Sequence, residues 1–230
     1  GASDDMGTRK VEPPAFGEVV RHMWKTPSLR HIVLGGALAS FVGYGLVLWL
    51  PAYFVRSHGL SQTEVGFTLA FLYGIVGGLG TFTAGMLADK LSDRDPRWLL
   101  WVIALGLTLA VPTALLSFSI TDTKLAIAIY CIPAFFGGFY LGPGFSAIQA
   151  LVPVNMRSVG AAINLFMTNL IGLGIGPQMV GVLSDFFHAD FGNESLRYAL
   201  MVFILTNLWA AFHYSRATRT LAHDLKEAKS

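Results

Sequence analysis

The side chains able to do chemistry in this chain are mostly uncharged, and they sit inside long apolar sequence. Asn164, Thr168, Asn169 and Gln178 fall in one such stretch, and Tyr140, Ser146 and Gln149 in another. Ser40, Tyr44, Thr68, Tyr73, Thr81 and Thr83 occupy two more. Hydroxyls and carboxamides offer hydrogen-bond donors and acceptors without a charge near neutral pH. In apolar surroundings such groups either bond a neighbouring helix or line a polar cavity. Asn164 and Thr168, four apart, share a helix face. Asn169 lies about 100° further round, so only part of the set is expected to line one cavity. Tyr44, Thr68, Tyr140, Gln149, Asn164 and Thr168 are the expected substrate contacts. The competing reading, that an amide merely bonds a neighbouring helix or a carbonyl freed near Pro177, applies to each of them singly.

Catalytic groups are scarce. Gly144-Phe145-Ser146-Ala147 approaches the G-x-S-G nucleophile motif of rhomboid intramembrane proteases, and His213 lies in a later apolar stretch. A serine and a histidine at one depth can acylate a peptide. Here the final glycine is alanine, and His213 is expected near one membrane face with Ser146 deeper, so the two should not meet. No Asp, Glu, Lys or Arg stands in the middle of any apolar stretch; Arg56, Asp89 and Asp185 lie at ends. His31 and His213 are too near the same face to make a proton relay. The single cysteine, Cys131, offers neither a disulfide framework nor a metal cluster. No enzyme activity, cofactor or metal is expected.

Six uncharged stretches position these groups, at about 31–55, 65–88, 98–121, 125–156, 158–184 and 198–215, and the 16 basic and 14 acidic residues all fall outside them. A helix of roughly 20 apolar residues crosses ~30 Å of hydrocarbon, so five stretches qualify by length and the sixth nearly does. Charged residues make up 13% of the chain, against roughly 25% in soluble domains. The net charge of +2 and the absence of a basic stripe exclude nucleic acid as a partner. The expected fold is an all-α membrane protein with six transmembrane helices.

Basic residues set the orientation. The N-terminal segment, the second and fourth loops and the tail hold thirteen Lys and Arg, while the opposite loops hold only Arg56, Lys124 and Arg197. That bias places both termini in the cytoplasm, and a bacterial inner (plasma) membrane is the expected location. Residues 1–27 read as a cytoplasmic linker ending in a short amphipathic helix (Phe16, Val19, Val20, Met23, Trp24), 28–216 as the bundle, and 217–230 as a cytoplasmic tail. Gly1 is an unusual first residue, so the chain is expected to be part of a longer one.

Glycine divides the spans. Gly74/Gly78, Gly138/Gly142 and Gly172/Gly176 repeat a small-x-x-x-small spacing in the second, fourth and fifth spans, which lets helix backbones approach closely in lipid. Proline at 143 and 177 adds expected kinks. The third and sixth spans lack this pattern and read as lipid-facing supports. Trp49 and Tyr53, at the end of the first, suit an outer aromatic belt.

The second loop, Gly85-Met86-Leu87-Ala88-Asp89-Lys90, continuing to Arg94-Asp95-Pro96-Arg97-Trp98, resembles the G-x-x-x-D-[RK] loop of the major facilitator superfamily. Arg56-Ser57-His58-Gly59-Leu60-Ser61 with Gly66 is similar to the loop between the seventh and eighth helices there. Pro153, Arg157, Gly160, Asn164, then Gly172 to Pro177, Gly181 and Asp185 resemble its tenth-to-eleventh helix connection. The resemblance covers about residues 28–215, and the combination of these motifs with Arg94 to Trp98 is most similar to the Spinster-like branch. It implies the C-terminal half of a twelve-helix secondary transporter working by alternating access. The absent N-terminal half, membrane lipid and a small organic solute are the implied partners. That branch is thought to carry sphingolipids or lysophospholipids; organic-anion carriers share many of the same features, and a channel is a more distant alternative. Gly85, Asp89, Lys90 and Arg94 would form a conformational latch. The coupling charges of the first half correspond to no position here.

Overall fold

In the computed structural model residues 15–228 are described, and every regular element among them is helical. Residues 1–14, with Arg9, Lys10 and the linker proper, lie outside that range, as do 229 and 230. An amphipathic helix α1 (Phe16–Lys25) precedes α2 (Pro27–His58), the first span. The second span joins α3 (Gln62–Leu69) to α4 (Gly77–Ser92) through a wide π-helical segment at Ala70–Val76. The third is α5 (Trp98–Ser119), the fourth α6 (Thr123–Gly137) plus α7 (Leu141–Leu151), and the fifth α8 (Arg157–Phe191). Helices α9 (Ser195–Ile204) and α10 (Thr206–Glu227) make the sixth.

Local chemistry sets the ends. Pro27 stands at the start of α2, where its missing N–H costs nothing. Gly59, at φ 66°, terminates that helix in the left-handed conformation. Ser61 and Glu64 then form a reciprocal capping box that starts α3, and Asp122 caps α6 through the Leu125 N–H. Five helical runs are long and apolar enough to cross a membrane, the last being Val154–Glu227 with 74 residues. At 1.5 Å per residue that run would reach roughly 110 Å, far beyond ~30 Å of hydrocarbon. It reverses at Gly192–Glu194, where Gly192 has φ 54°, so it crosses twice and the bundle has six spans.

The first span is flanked by α8 and α10, and the third by α6, α10 and α4. Gly172 and Gly176 press against Ser40, Phe41 and Tyr44 of α2; a Cβ on Gly176 would stand 2.5 Å from the Phe41 carbonyl oxygen. The second and fourth spans meet through Gly80, against the Phe135 backbone, and Gly138, against Thr81. Gly74, Gly78 and Gly142 have nothing within 4 Å of an added Cβ, so those members of the expected pairs make no close approach here. Two large apolar clusters and a small one around Ala84, Val102 and Phe139 fill the bundle. One large cluster, around Leu29, Ile32, Ile103, Leu151 and Tyr214, also holds Val19 and Met23 of α1. The other surrounds Leu50, Tyr53, Phe118 and Phe203.

Three sequence expectations need adjusting. Tyr53 is buried, with its hydroxyl 3.0 Å from His58 Nε2, and does not sit in a surface belt. Trp49 is half-buried and donates to the Pro177 carbonyl at 2.7 Å, tying the first span to the fifth. The third span exposes a single apolar stripe (Trp101, Leu105, Leu109, Leu116), but its other sides are enclosed, making it a packing strut. Helix α10 also continues without a break past residue 216, with Ala217, Leu221 and Asp224 buried. The Asp224 carboxylate accepts from the Ser28 N–H at 3.0 Å and the Ser28 hydroxyl at 2.6 Å. It thereby satisfies a first-turn donor that helix geometry leaves open at the start of α2.

Candidate solute-binding recess

Four spans contribute to a polar recess of about 150 Å³. Its walls include Ser40 and Tyr44 of α2, Tyr140 at the break before α7, Asn164, Thr168 and Asn169 of α8, and Tyr214 of α10. Gly36 and Gly144 admit the Tyr214 ring, whose hydroxyl oxygen would lie 3.4 Å from a Cβ on either. The Ser40 hydroxyl and the Tyr140 hydroxyl are 3.1 Å apart. Tyr44 donates to the Asn169 carboxamide oxygen at 3.3 Å. Thr168 is turned onto its own helix, donating to the Asn164 and Leu165 carbonyls at 2.9 and 3.0 Å.

A second recess of about 310 Å³ shares Tyr44, Tyr140 and Leu141 with the first and runs toward Tyr73, Thr81 and Tyr130. Tyr73 presents a buried hydroxyl without a well-formed hydrogen bond. Small-molecule sites enclose about 300–1,000 Å³, so the first recess alone is too small for a drug-sized solute and the pair together is not. Neither wall carries a charged side chain. The arrangement can recognise hydroxyls and amides and bury an apolar body, and its lining includes no carboxylate, histidine, lysine or arginine.

Of the expected contacts, Tyr44, Tyr140, Asn164 and Thr168 come together. Thr68 and Gln149 are half-buried elsewhere and line neither recess. Asn169 does line the first one although it lies round the helix from Asn164, because Tyr44 reaches across to it. Tyr130 and Tyr214 were not singled out from sequence. Their signal was a tyrosine inside an apolar stretch, Tyr130 near the start of the fourth and Tyr214 near the end of the sixth, whose run reads as lipid-facing. His213 faces His31, their Nδ1 atoms 2.9 Å apart, while Ser146 is exposed. No serine–histidine pair forms between them.

An open apolar face adjoins the recesses. On the second span Phe67, Phe71, Ile75, Leu79, Phe82 and Met86 are exposed, and on α8 so are Leu165, Phe166, Leu170 and Leu173. Asp89 follows Phe82 and Met86 by seven and three residues, so it ends the same helix stripe. Asp89, Lys90 and Arg94 are exposed and form no ion pair among the described residues. Gly85 has nothing within 4 Å of an added Cβ, so it makes no close approach within this bundle.

The chain resembles known proteins over nearly its whole length. Residues 4–177 match the family described as Major Facilitator Superfamily. An MFS-type efflux pump of Mycolicibacterium smegmatis is 34% identical over 229 residues, covering 96% of this chain and 53% of the pump. Protein spinster homolog 1 of Xenopus tropicalis is 23% identical over 251 residues, covering 100% of this chain and 47% of that protein. The crystal structure of a bacterial homolog to the human lysosomal transporter Spinster, inward-facing and unoccupied, superposes with a TM-score of 0.85 at 27% identity. It covers 97% of this chain and 54% of that one. The chain thus spans about half the length of the relatives it matches.

Proposed function

The chain belongs to the major facilitator superfamily, and we propose that it is the C-terminal half of a secondary transporter that works by alternating access. The observation carrying this reading is the uncharged polar recess opening beside an unpartnered apolar face on the second and fifth spans. An N-terminal six-helix half covers that face, and the solute is held between the two halves near mid-membrane. Residues 28–216 move as one body; residues 1–27 belong to the linker, and residues beyond 216 to the cytoplasmic end. Both termini are cytoplasmic, in a bacterial inner membrane.

Tyr44, Tyr140, Asn164, Thr168 and Asn169 form this half's share of the binding wall. With hydroxyls and amides but no cation, the wall suits an amphipathic, lipid-like solute such as a sphingolipid or lysophospholipid. Asp89, with Gly85, Lys90 and Arg94 beside it, acts as a latch against the other half and performs no chemistry. The protein is a carrier and not an enzyme.

Uptake by the full-length protein in proteoliposomes tests the binding wall. With a lysophospholipid as solute, Asn164→Ala and Tyr140→Phe each raise the half-saturating concentration severalfold, about 1 kcal/mol per lost hydrogen bond, and leave the expression level unchanged. Transport of an organic anion with no lysophospholipid uptake would replace the lipid-like reading with the anion-carrier one. Unaltered kinetics in both variants would remove the recess from the transport path.

A further inference from the structure

We propose a binding site for an anionic phospholipid on the side of the bundle formed by α5 and α10, separate from the transport recess. These two helices pack directly on one another, and each carries one exposed stripe. On α5 the stripe runs Trp101, Leu105, Leu109, headed by Arg97 just before the helix; on α10 it runs Arg219, Arg216, Phe212, Trp209, and ends at Leu205 just before that helix. The helices run in opposite directions, so both stripes change from apolar to cationic at the same membrane face.

Where they meet there is a recess of about 400 Å³. Arg97, Arg216 and Arg219 line it together with Trp101, Phe212 and Ser215. None of the three guanidinium groups is ion-paired among the described residues. Asp95, the acid nearest in sequence, accepts the Arg97 backbone N–H at 2.9 Å. Three unpaired guanidiniums around one recess, with a hydroxyl beside them, fit the phosphate oxygens of a lipid headgroup, which arginine binds as a planar fork. Trp101 and Phe212 take the glycerol level, and Leu105, Leu109, Trp209 and Leu205 receive the acyl chains. Basic recesses between transmembrane helices at the cytoplasmic face bind anionic headgroups by this chemistry. The occupant here is a diacyl phospholipid with a net negative headgroup, bound as a fixed component and not carried.

Native mass spectrometry of the full-length transporter with phosphatidylglycerol and phosphatidylcholine tests the site. The wild type retains phosphatidylglycerol in preference. Arg216→Gln with Arg219→Gln lowers that retention on the order of tenfold, and phosphatidylcholine binding does not change. Arg21→Gln with Lys25→Gln removes the same charge from exposed positions on α1 and leaves retention as in the wild type. An equal loss in both pairs, or no loss in the first, overturns the proposal. If the arginine pair fails to fold, tryptophan quenching by brominated-chain lipids decides: phosphatidylglycerol quenches more than phosphatidylcholine, and Trp101→Phe with Trp209→Phe abolishes the excess, since these are the two exposed tryptophans of the stripe. Equal quenching by the two lipids, or an excess that survives in the double variant, refutes the site.

Discussion

The second and fifth spans carry the same glycine spacing and use it differently. In α8, Gly172 and Gly176 are buried against Ser40 and Phe41 of the first span, with no room for a methyl group. In the second span, Gly74 and Gly78 face open space on a stripe bordered by Phe71, Ile75 and Phe82. The spacing marks a backbone prepared for close approach, and nothing in it says to what. One pair serves the internal packing of the half. The other, on the transporter reading, serves the boundary between halves.

The sharpest way to break that comparison is to fill both pairs. Gly176→Leu must displace the α2 backbone at Phe41, and overpacking of this kind costs about 1–3 kcal/mol or more. Thermal unfolding of the purified full-length protein should drop by several degrees or the variant should fail to accumulate. Gly78→Leu should leave the unfolding of this bundle near wild type and instead reduce transport. Equal destabilisation by the two substitutions would mean that the open face is already filled within the half.

Two carboxylates at one end of the bundle repeat the contrast. Asp224 is 5% exposed and accepts two hydrogen bonds from Ser28, 196 residues away in sequence. Asp89 is exposed and has no ion-pair partner among the described residues. Asp224→Ala leaves the Ser28 N–H and hydroxyl without their shared acceptor, a loss of about 2 kcal/mol for hydrogen bonds to a charged group. The stability deficit, read by thermal or denaturant unfolding, should shrink but not vanish when Ser28→Ala is the background, because the backbone N–H at 28 still loses its acceptor. An undiminished deficit in that background would mean that the hydroxyl bond contributes nothing.

What the sequence made legible follows the same division. Charge segregation located all six spans and their starts to within a few residues, because any lysine or glutamate in hydrocarbon is costly enough to be excluded. The fifth and sixth helices, however, run on to Phe191 and Glu227, well past the expected ends at 184 and 215. That Tyr44, Tyr140, Asn164 and Thr168 share a recess was readable because uncharged polar groups are rare inside apolar spans. Thr68 and Gln149 looked alike on composition, but their helix faces point away from both recesses. Tyr214 could not be recovered, since its role depends on Gly36 and Gly144 opening room for a ring from a different span. Nor could the Asp224–Ser28 cap, which joins opposite ends of the chain. Hydropathy reports depth well and azimuth poorly, and the site is mostly a matter of azimuth.

Asp89 carries the finest test of the comparison, because its substitution should alter function while sparing the fold. It ends the open stripe of the second span, beside Gly85, and Lys90 and Arg94 follow it. If it closes one conformation of the carrier by pairing with the other half, Asp89→Asn removes that attraction without disturbing any contact inside this bundle. The inward/outward ratio should then shift severalfold, up to about tenfold, visible as altered labelling of single cysteines placed on the two sides of the bundle in a Cys131→Ser background. Thermal unfolding should match the wild type, and the relative rates for different solutes should hold, because Asp89 lines neither recess. A lowered unfolding temperature with unchanged labelling would make Asp89 a folding residue like Asp224. The contrast between the two carboxylates would then be one of exposure alone.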